Sequence, residues 1–187
     1  MKKGTLALLS NLEGENICRK VMLEGAMNGG LGVAAGSLPR HISLGMPYYV
    51  TDYDAYLNFA EEYAKQLLPV KVTLTGMISN PIGTSTGAYL FEFSTDTDIE
   101  KLRANTREQL RSKLQLHVPE KDGVTGKQNI TLGFGKAPFD AYKAYVDQVQ
   151  ASEFIGKELI FDELGVFYYD EETIAADNFF CCKRIKL

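Results

Sequence analysis

The sequence predicts an α+β fold of two related halves, a bilobal duplicated architecture. Each half is an antiparallel-rich sheet flanked by helices, and the two face one another across a central groove. Three observations predict it. Short apolar or alternating runs interleave with segments of helical period along the whole chain. A unit of strand, short connection and helix occurs twice, first from His41 to Tyr56 and again from Asn129 to Tyr142. Finally, 187 residues suit two small lobes sharing one core, enough to bury roughly 70% of the unfolded surface. Residues 1–187 are therefore read as a single bilobal domain.

The elements follow in order. Thr5 to Leu9 is a first apolar strand, and Ile17, Val21 and Leu23 mark a short helix with Arg19 and Lys20 outward. From Gly25 to Gly36, five of twelve residues are glycine, which predicts a mobile loop. No Lys-Ser/Thr follows it and no clear strand precedes it, so a plain connection outweighs a phosphate cradle. His41-Ile42-Ser43-Leu44-Gly45 alternates as a strand. Thr51 and Asp54 then resemble a capping box with Asp for the usual Glu. Tyr56, Phe59, Tyr63 and Leu67 recur at helical spacing until Pro69.

Val70 to Met77 reads as a strand, Asn80-Pro81 as a turn and Ala88 to Phe93 as the returning strand. A helix opens near Asp96 to Asp98 and turns Ile99, Leu102, Thr106, Leu110 and Leu114 inward. Lys101, Arg103, Arg107, Arg111 and Lys113, mixed with Glu100 and Glu108, are assigned to a solvated face rather than an RNA track. A polar loop spans His117 to Lys127. After the second motif unit, Glu158 to Tyr169 and Phe179 to Ile185 are strands joined by an acidic loop.

Composition narrows the function classes. With 45% hydrophobic and 24% charged residues the chain is near the globular average, which excludes bulk disorder and coiled coil. A net charge of −4 argues against coating long nucleic acid through many phosphate contacts. No apolar run approaches the roughly 20 residues of a membrane span. The stretch after Met1-Lys2-Lys3 is too short for a signal peptide, so no membrane partner is expected. Of three cysteines, Cys181 and Cys182 are adjacent, and strand neighbours point to opposite faces, so a disulfide between them would be strained. Buried or half-buried thiols in a cytoplasmic protein are the expectation. His41 and His117 stand far apart and near no cysteine, so no zinc-ligand spacing exists and no metal or cofactor is implied.

The repeat carries the functional reading. Asn129-Ile130-Thr131-Leu132-Gly133 mirrors His41-Ile42-Ser43-Leu44-Gly45, and Asp140-Ala141-Tyr142 mirrors Asp54-Ala55-Tyr56. Alternation places His41 with Ser43 on one strand face and Asn129 with Thr131 on the other strand's equivalent face. Two lobes about a pseudo-twofold axis would bring these pairs together. A groove lined by an imidazole, an amide and two hydroxyls holds donors suited to a phosphate and one group that moves a proton near neutral pH. Tyr48, Tyr49 and Tyr53 follow the first motif and are candidates for stacking a base or for ordinary packing.

Two H-x-[ST]-type motifs, each on a strand followed by a helix in a duplicated chain of this size, resemble the two-histidine (2H) phosphoesterase superfamily. Its members include the 2'-5' RNA ligase-like (LigT-like) proteins and the cyclic nucleotide phosphodiesterases. The resemblance covers nearly the whole chain. It implies that His41 transfers a proton and that Ser43 and Thr131 hold phosphate oxygens of a 2',3'-cyclic phosphate or 2'-5' linkage. Asn129 stands where the second histidine belongs and retains only a neutral hydrogen bond. The implied partner is a small nucleotide or an RNA end carrying a phosphate ester.

Three readings follow. One is a hydrolase of the cyclic phosphodiesterase or RNA ligase-like kind with a weakened second motif. Another is a catalytically inactive nucleotide-binding pseudoenzyme, and the third an interaction protein whose groove is incidental. His117, in the preceding loop, is either a stand-in for the missing histidine or a solvent-exposed side chain.

Overall fold

Every strand among the described residues pairs antiparallel, and the order of pairing repeats the internal symmetry of the sequence. In the computed structural model, the described residues are 2–32, 38–82, 84–119, 128–135, 137–149, 154–170 and 180–187. Within them lie strands β1 (Lys2–Ser10), β2 (His41–Ser43), β3 (Tyr48–Tyr49), β4 (Val70–Ile82) and β5 (Thr86–Ser94). Strands β6 (Asn129–Gly135), β7 (Glu158–Asp170) and β8 (Phe180–Lys186) complete the sheet. The helices are α1 (Leu12–Gly29), α2 (Tyr53–Ala64), α3 (Ile99–Leu114) and α4 (Phe139–Val149).

The sheet runs β2-β1-β7-β4-β5-β6, with β3 also on β1 and β8 also on β7. Matching the halves pairs β2 with β6, β1 with β5 and β7 with β4, so the path reads alike from either end. The two expected sheets are thus joined into one. Val70 to Thr73 pair with Glu158 to Phe161, a four-residue seam that satisfies backbone groups both strands would otherwise leave open. Beyond that seam β4 continues along β5, while β7 continues along β1 and β8. The outer strands β2 and β6 nevertheless come within 8 Å of each other between Cα atoms. The sheet therefore curls, and the two motif strands become neighbours.

The core lies between the sheet and the helices. Tyr56 and Tyr142, the matching tyrosines of the repeat, are both fully buried. Each covers a glycine on the strand next to its motif strand. A Cβ on Gly4 of β1 would sit 2.9 Å from the Tyr56 ring, and one on Gly87 of β5 would sit 2.7 Å from the Tyr142 ring. Phe59 and Tyr145, three residues further along their helices, are also buried.

Several local expectations are corrected. The glycine-rich segment is not all loop, because α1 runs to Gly29 and ends where Gly30 takes a left-handed φ of 63°. Tertiary bonds outweigh the poor helix propensity there: Tyr145 donates its hydroxyl to the Val21 carbonyl at 2.6 Å and Tyr89 to that of Met22 at 3.3 Å. Residues 33–37 of that stretch lie outside the described residues. Leu23 points outward, while Cys18, Val21 and Met22 face the core.

At α2 the cap is Asp52, whose carboxylate accepts from the Ala55 N–H at 2.9 Å, rather than Thr51. That helix ends at Ala64, before Leu67. Asn80 and Pro81 belong to β4, and the chain turns after Ile82, with Pro81 tolerated at the exposed end of the hairpin. Asp98 caps α3 as expected, accepting from Lys101 N–H at 2.9 Å. Arg103, however, is buried, for a reason that belongs to the site. The expected thiol environments of Cys181 and Cys182, the acidic loop after β7 and most of the loop after His117 fall outside the described residues or side chains.

Candidate functional site

The motif strands show the alternation that their sequences require. Ile42, Ile130 and Leu132 are fully buried, whereas His41, Ser43, Asn129 and Thr131 are half-buried. Across β1, His41 is opposite Leu9 and Ser43 is opposite Ala7. Across β5, Asn129 is opposite Glu92 and Thr131 is opposite Leu90. All four motif residues thus occupy equivalent positions in the two halves, one set on each of two neighbouring strands.

The state of His41 follows from its contacts. Its Nδ1 lies 2.8 Å from the Pro39 carbonyl, which can only accept, so Nδ1 carries the hydrogen and Nε2 the lone pair of the neutral ring. The ring meets Phe167 edge-on, with centroids 4.8 Å apart. Burial lowers its pKa to about 4; the Pro39 bond opposes the shift and the nearby Arg40 charge adds to it. His41 is therefore a neutral imidazole at pH 7, able to accept a proton at Nε2.

Two buried arginines, neither assigned a role from the sequence, hold the motif strands. Arg40, 2% exposed, donates from its guanidinium to the carbonyls of Thr131 at 3.1 Å, Leu132 at 2.7 Å and Leu38 at 2.6 Å. Its backbone N–H donates to Glu15 Oε2 at 2.6 Å, and Glu15 also accepts from Arg19 Nε at 2.8 Å. Arg103, 1% exposed, donates Nε to the Ser43 carbonyl at 3.0 Å while its other arm meets Glu100 Oε1 at 2.6 Å. Reading Arg103 as part of a solvated face is thus corrected, because a strand carbonyl and a carboxylate provide it with partners inside. The signal in the sequence was slight. Glu15 shares the inward stripe with Cys18 and Met22, and a carboxylate there demands a buried cation.

A cavity of about 420 Å³ opens beside β6, lined by Thr75, Ile78, Glu92, Phe93, Glu100, Gln128 and Asn129. Among the motif residues, Asn129 contributes to it. The aromatic candidates separate: Tyr48 is buried and donates to the Tyr56 hydroxyl at 3.0 Å, which makes it core. Tyr53 packs on Tyr168 with centroids 4.5 Å apart, and Tyr49 is half-exposed beneath Lys3. His117 is exposed. Among the described residues, no group of three or more His, Cys, Asp or Glu is placed to hold a metal ion. No helix among them is long and apolar enough to cross a membrane.

No family model matches the chain, and no curated protein matches it by sequence. Solved structures do match. TT0787 of Thermus thermophilus superposes with a TM-score of 0.63 at 15% identity, over 99% of this chain and 97% of that one. The chain shares its fold. Usb1 of Kluyveromyces marxianus superposes with a TM-score of 0.53 at 12% identity, covering 99% of this chain and 98% of its own. Usb1 with uridine monophosphate matches equally. The likeness spans the full length in each case, so the duplicated α+β class expected from the sequence is the one observed, with the two expected sheets merged into one.

Proposed function

We propose that residues 1–187 form one 2H phosphoesterase-like domain that binds, and slowly turns over, a small phosphate ester such as a 2',3'-cyclic nucleotide or an RNA end. The observation that carries this is the equivalence of β2 and β6: neighbouring strands, matched registers, and His41, Ser43, Asn129 and Thr131 all half-buried on the alternating face. A solved neighbour bound to uridine monophosphate supports a nucleotide as the ligand. A soluble, cytoplasmic setting agrees with such a ligand.

In this reading a phosphate sits between the strands, Ser43 and Thr131 donate hydroxyl protons to its oxygens, and the Asn129 amide donates a third bond. His41 Nε2 takes the proton of the attacking water. Asn129 cannot donate or take a proton in the ordinary pH range, and loss of one positioned acid–base group typically costs about 10²–10⁴ in rate. That is roughly 3–5 kcal/mol of barrier. The same asparagine favours a second reading, a pseudoenzyme that binds nucleotides without turnover.

Hydrolysis of 2',3'-cyclic nucleotides by pure protein, abolished in His41→Ala, is the result expected of the enzyme. Binding without turnover, measured by calorimetry, assigns the pseudoenzyme. Neither binding nor turnover refutes both. Asn129→His is expected to raise the rate, and a folded variant with no gain counts against the site.

A further inference from the structure

The two halves differ most where their symmetry is best defined. Gly4 beneath Tyr56 and Gly87 beneath Tyr142 put β1 and β5 in matching register. Leu9 and Glu92 each lie five residues beyond their glycine, and each is the cross-strand partner of a motif residue, His41 and Asn129 respectively. The first half therefore pairs an imidazole with an aliphatic side chain, and the second pairs an amide with a carboxylate. A proton carrier is present in both pairs, but on the motif strand in one and on its neighbour in the other.

We propose that Glu92 is the second proton-transfer group of this site, in place of the imidazole that position 129 lacks. The inference rests on the phosphoesterase reading above and deepens it. Directly opposed strand residues hold their Cβ atoms about 4.5–5.5 Å apart, so a glutamate carboxyl extends over its neighbour's functional group. Glu92 and Asn129 line the same cavity. The other carboxylate there, Glu100, is engaged by buried Arg103. Glu92 has no ion pair among the described residues, and its side chain is exposed and free to carry a proton to and from water.

The oxygen of a water molecule attacks phosphorus and its proton passes to His41 Nε2. The bond from phosphorus to one of the two ring oxygens breaks, and that oxygen takes the proton of the Glu92 carboxyl. The products are a phosphomonoester and a free hydroxyl. The proton on the imidazolium then returns through water to the Glu92 carboxylate.

The test is steady-state hydrolysis of 2',3'-cyclic nucleoside monophosphates from about pH 4 to pH 8 by wild type, E92Q, H41A and the double variant E92L/N129H. E92Q is expected to lower kcat by at least about 10²-fold with little change in KM, because an amide cannot hand a proton to the leaving oxygen. E92L/N129H rebuilds in the second half the pair found in the first. It is expected to recover at least about tenfold over E92Q, because an imidazole then stands where the proton is delivered. A folded E92Q within about twofold of wild type overturns the proposal. If H41A is inactive at the same time, the phosphoesterase reading stands without Glu92. If H41A is also unaffected, that reading falls as well. Wild type that binds these nucleotides without turnover at any pH overturns the role of Glu92 and leaves the pseudoenzyme.

Discussion

Arg40 is bonded to Thr131: the guanidinium of the residue before His41 donates to the carbonyl of the second motif hydroxyl residue at 3.1 Å, and to the Leu132 carbonyl at 2.7 Å. A side chain of the first half thus fixes the backbone of the second. That bond ties β2 to β6, although the strands lie at opposite ends of the pairing order.

Arg40→Met is therefore expected to destabilise the fold by about 3 kcal/mol or more, since it leaves buried Glu15 short of a compensating charge and removes the guanidinium donor of two strand carbonyls. Arg40→Lys keeps the charge but not the planar fork, and should recover only part of the loss. Urea unfolding midpoints measure both. A midpoint for Arg40→Met equal to wild type would show that the clamp contributes nothing.

Gly4→Ala and Gly87→Ala test the symmetry of the core. Each added methyl meets a buried tyrosine ring under 3.0 Å away, and each is expected to cost about 1–3 kcal/mol through overpacking. Thermal unfolding of the two variants should show losses of similar size. A neutral result at either position would mean that its tyrosine shifts freely.

His41 makes stability depend on pH. Its folded pKa of about 4 lies below the unfolded value near 6.5, so the unfolded chain takes up the proton first as pH falls. The neutral ring contributes fully above pH 6.5, and this contribution drains away as pH falls towards 4. His41→Gln should flatten the stability curve over that window. Identical slopes for variant and wild type would contradict the shift. A bound phosphate anion opposes it, so saturating nucleotide should raise the imidazole pKa seen by NMR titration.

Arg103→Met removes the donor to the Ser43 carbonyl. A hydrogen bond from a charged donor is worth about 1.5–3 kcal/mol, and a loss of that size is expected in urea unfolding. Loosening β2 should also weaken nucleotide binding several-fold in calorimetry. Destabilisation with unchanged affinity would separate Arg103 from the site.

What the sequence determined by itself was periodic. The alternation that buries Ile42, Ile130 and Leu132 and leaves His41, Ser43, Asn129 and Thr131 half-buried is a two-residue rule, and it holds in both strands. The duplication was legible for the same reason, because Asp54-Ala55-Tyr56 and Asp140-Ala141-Tyr142 open helices that bury matching tyrosines. Local pattern failed where a distant group overruled it. Arg103 falls on the inward stripe with Ile99, Thr106 and Leu110, and its charge alone suggested the surface, yet it reaches Ser43. Helix α1 runs on through Gly25, which packs under the Tyr145 ring, while Tyr145 and Tyr89 bond the carbonyls of Val21 and Met22 in the turn before it.

Only the tertiary structure decided which strands meet. The seam between β4 and β7 merged two sheets into one, and curling of that sheet set β2 beside β6. The pairing of Glu92 with Asn129 is likewise a matter of register between segments far apart in the chain. Side-chain periodicity is a property of a few consecutive residues. Register and clamp contacts are settled by backbone hydrogen bonding and by the need to give each buried charge a partner.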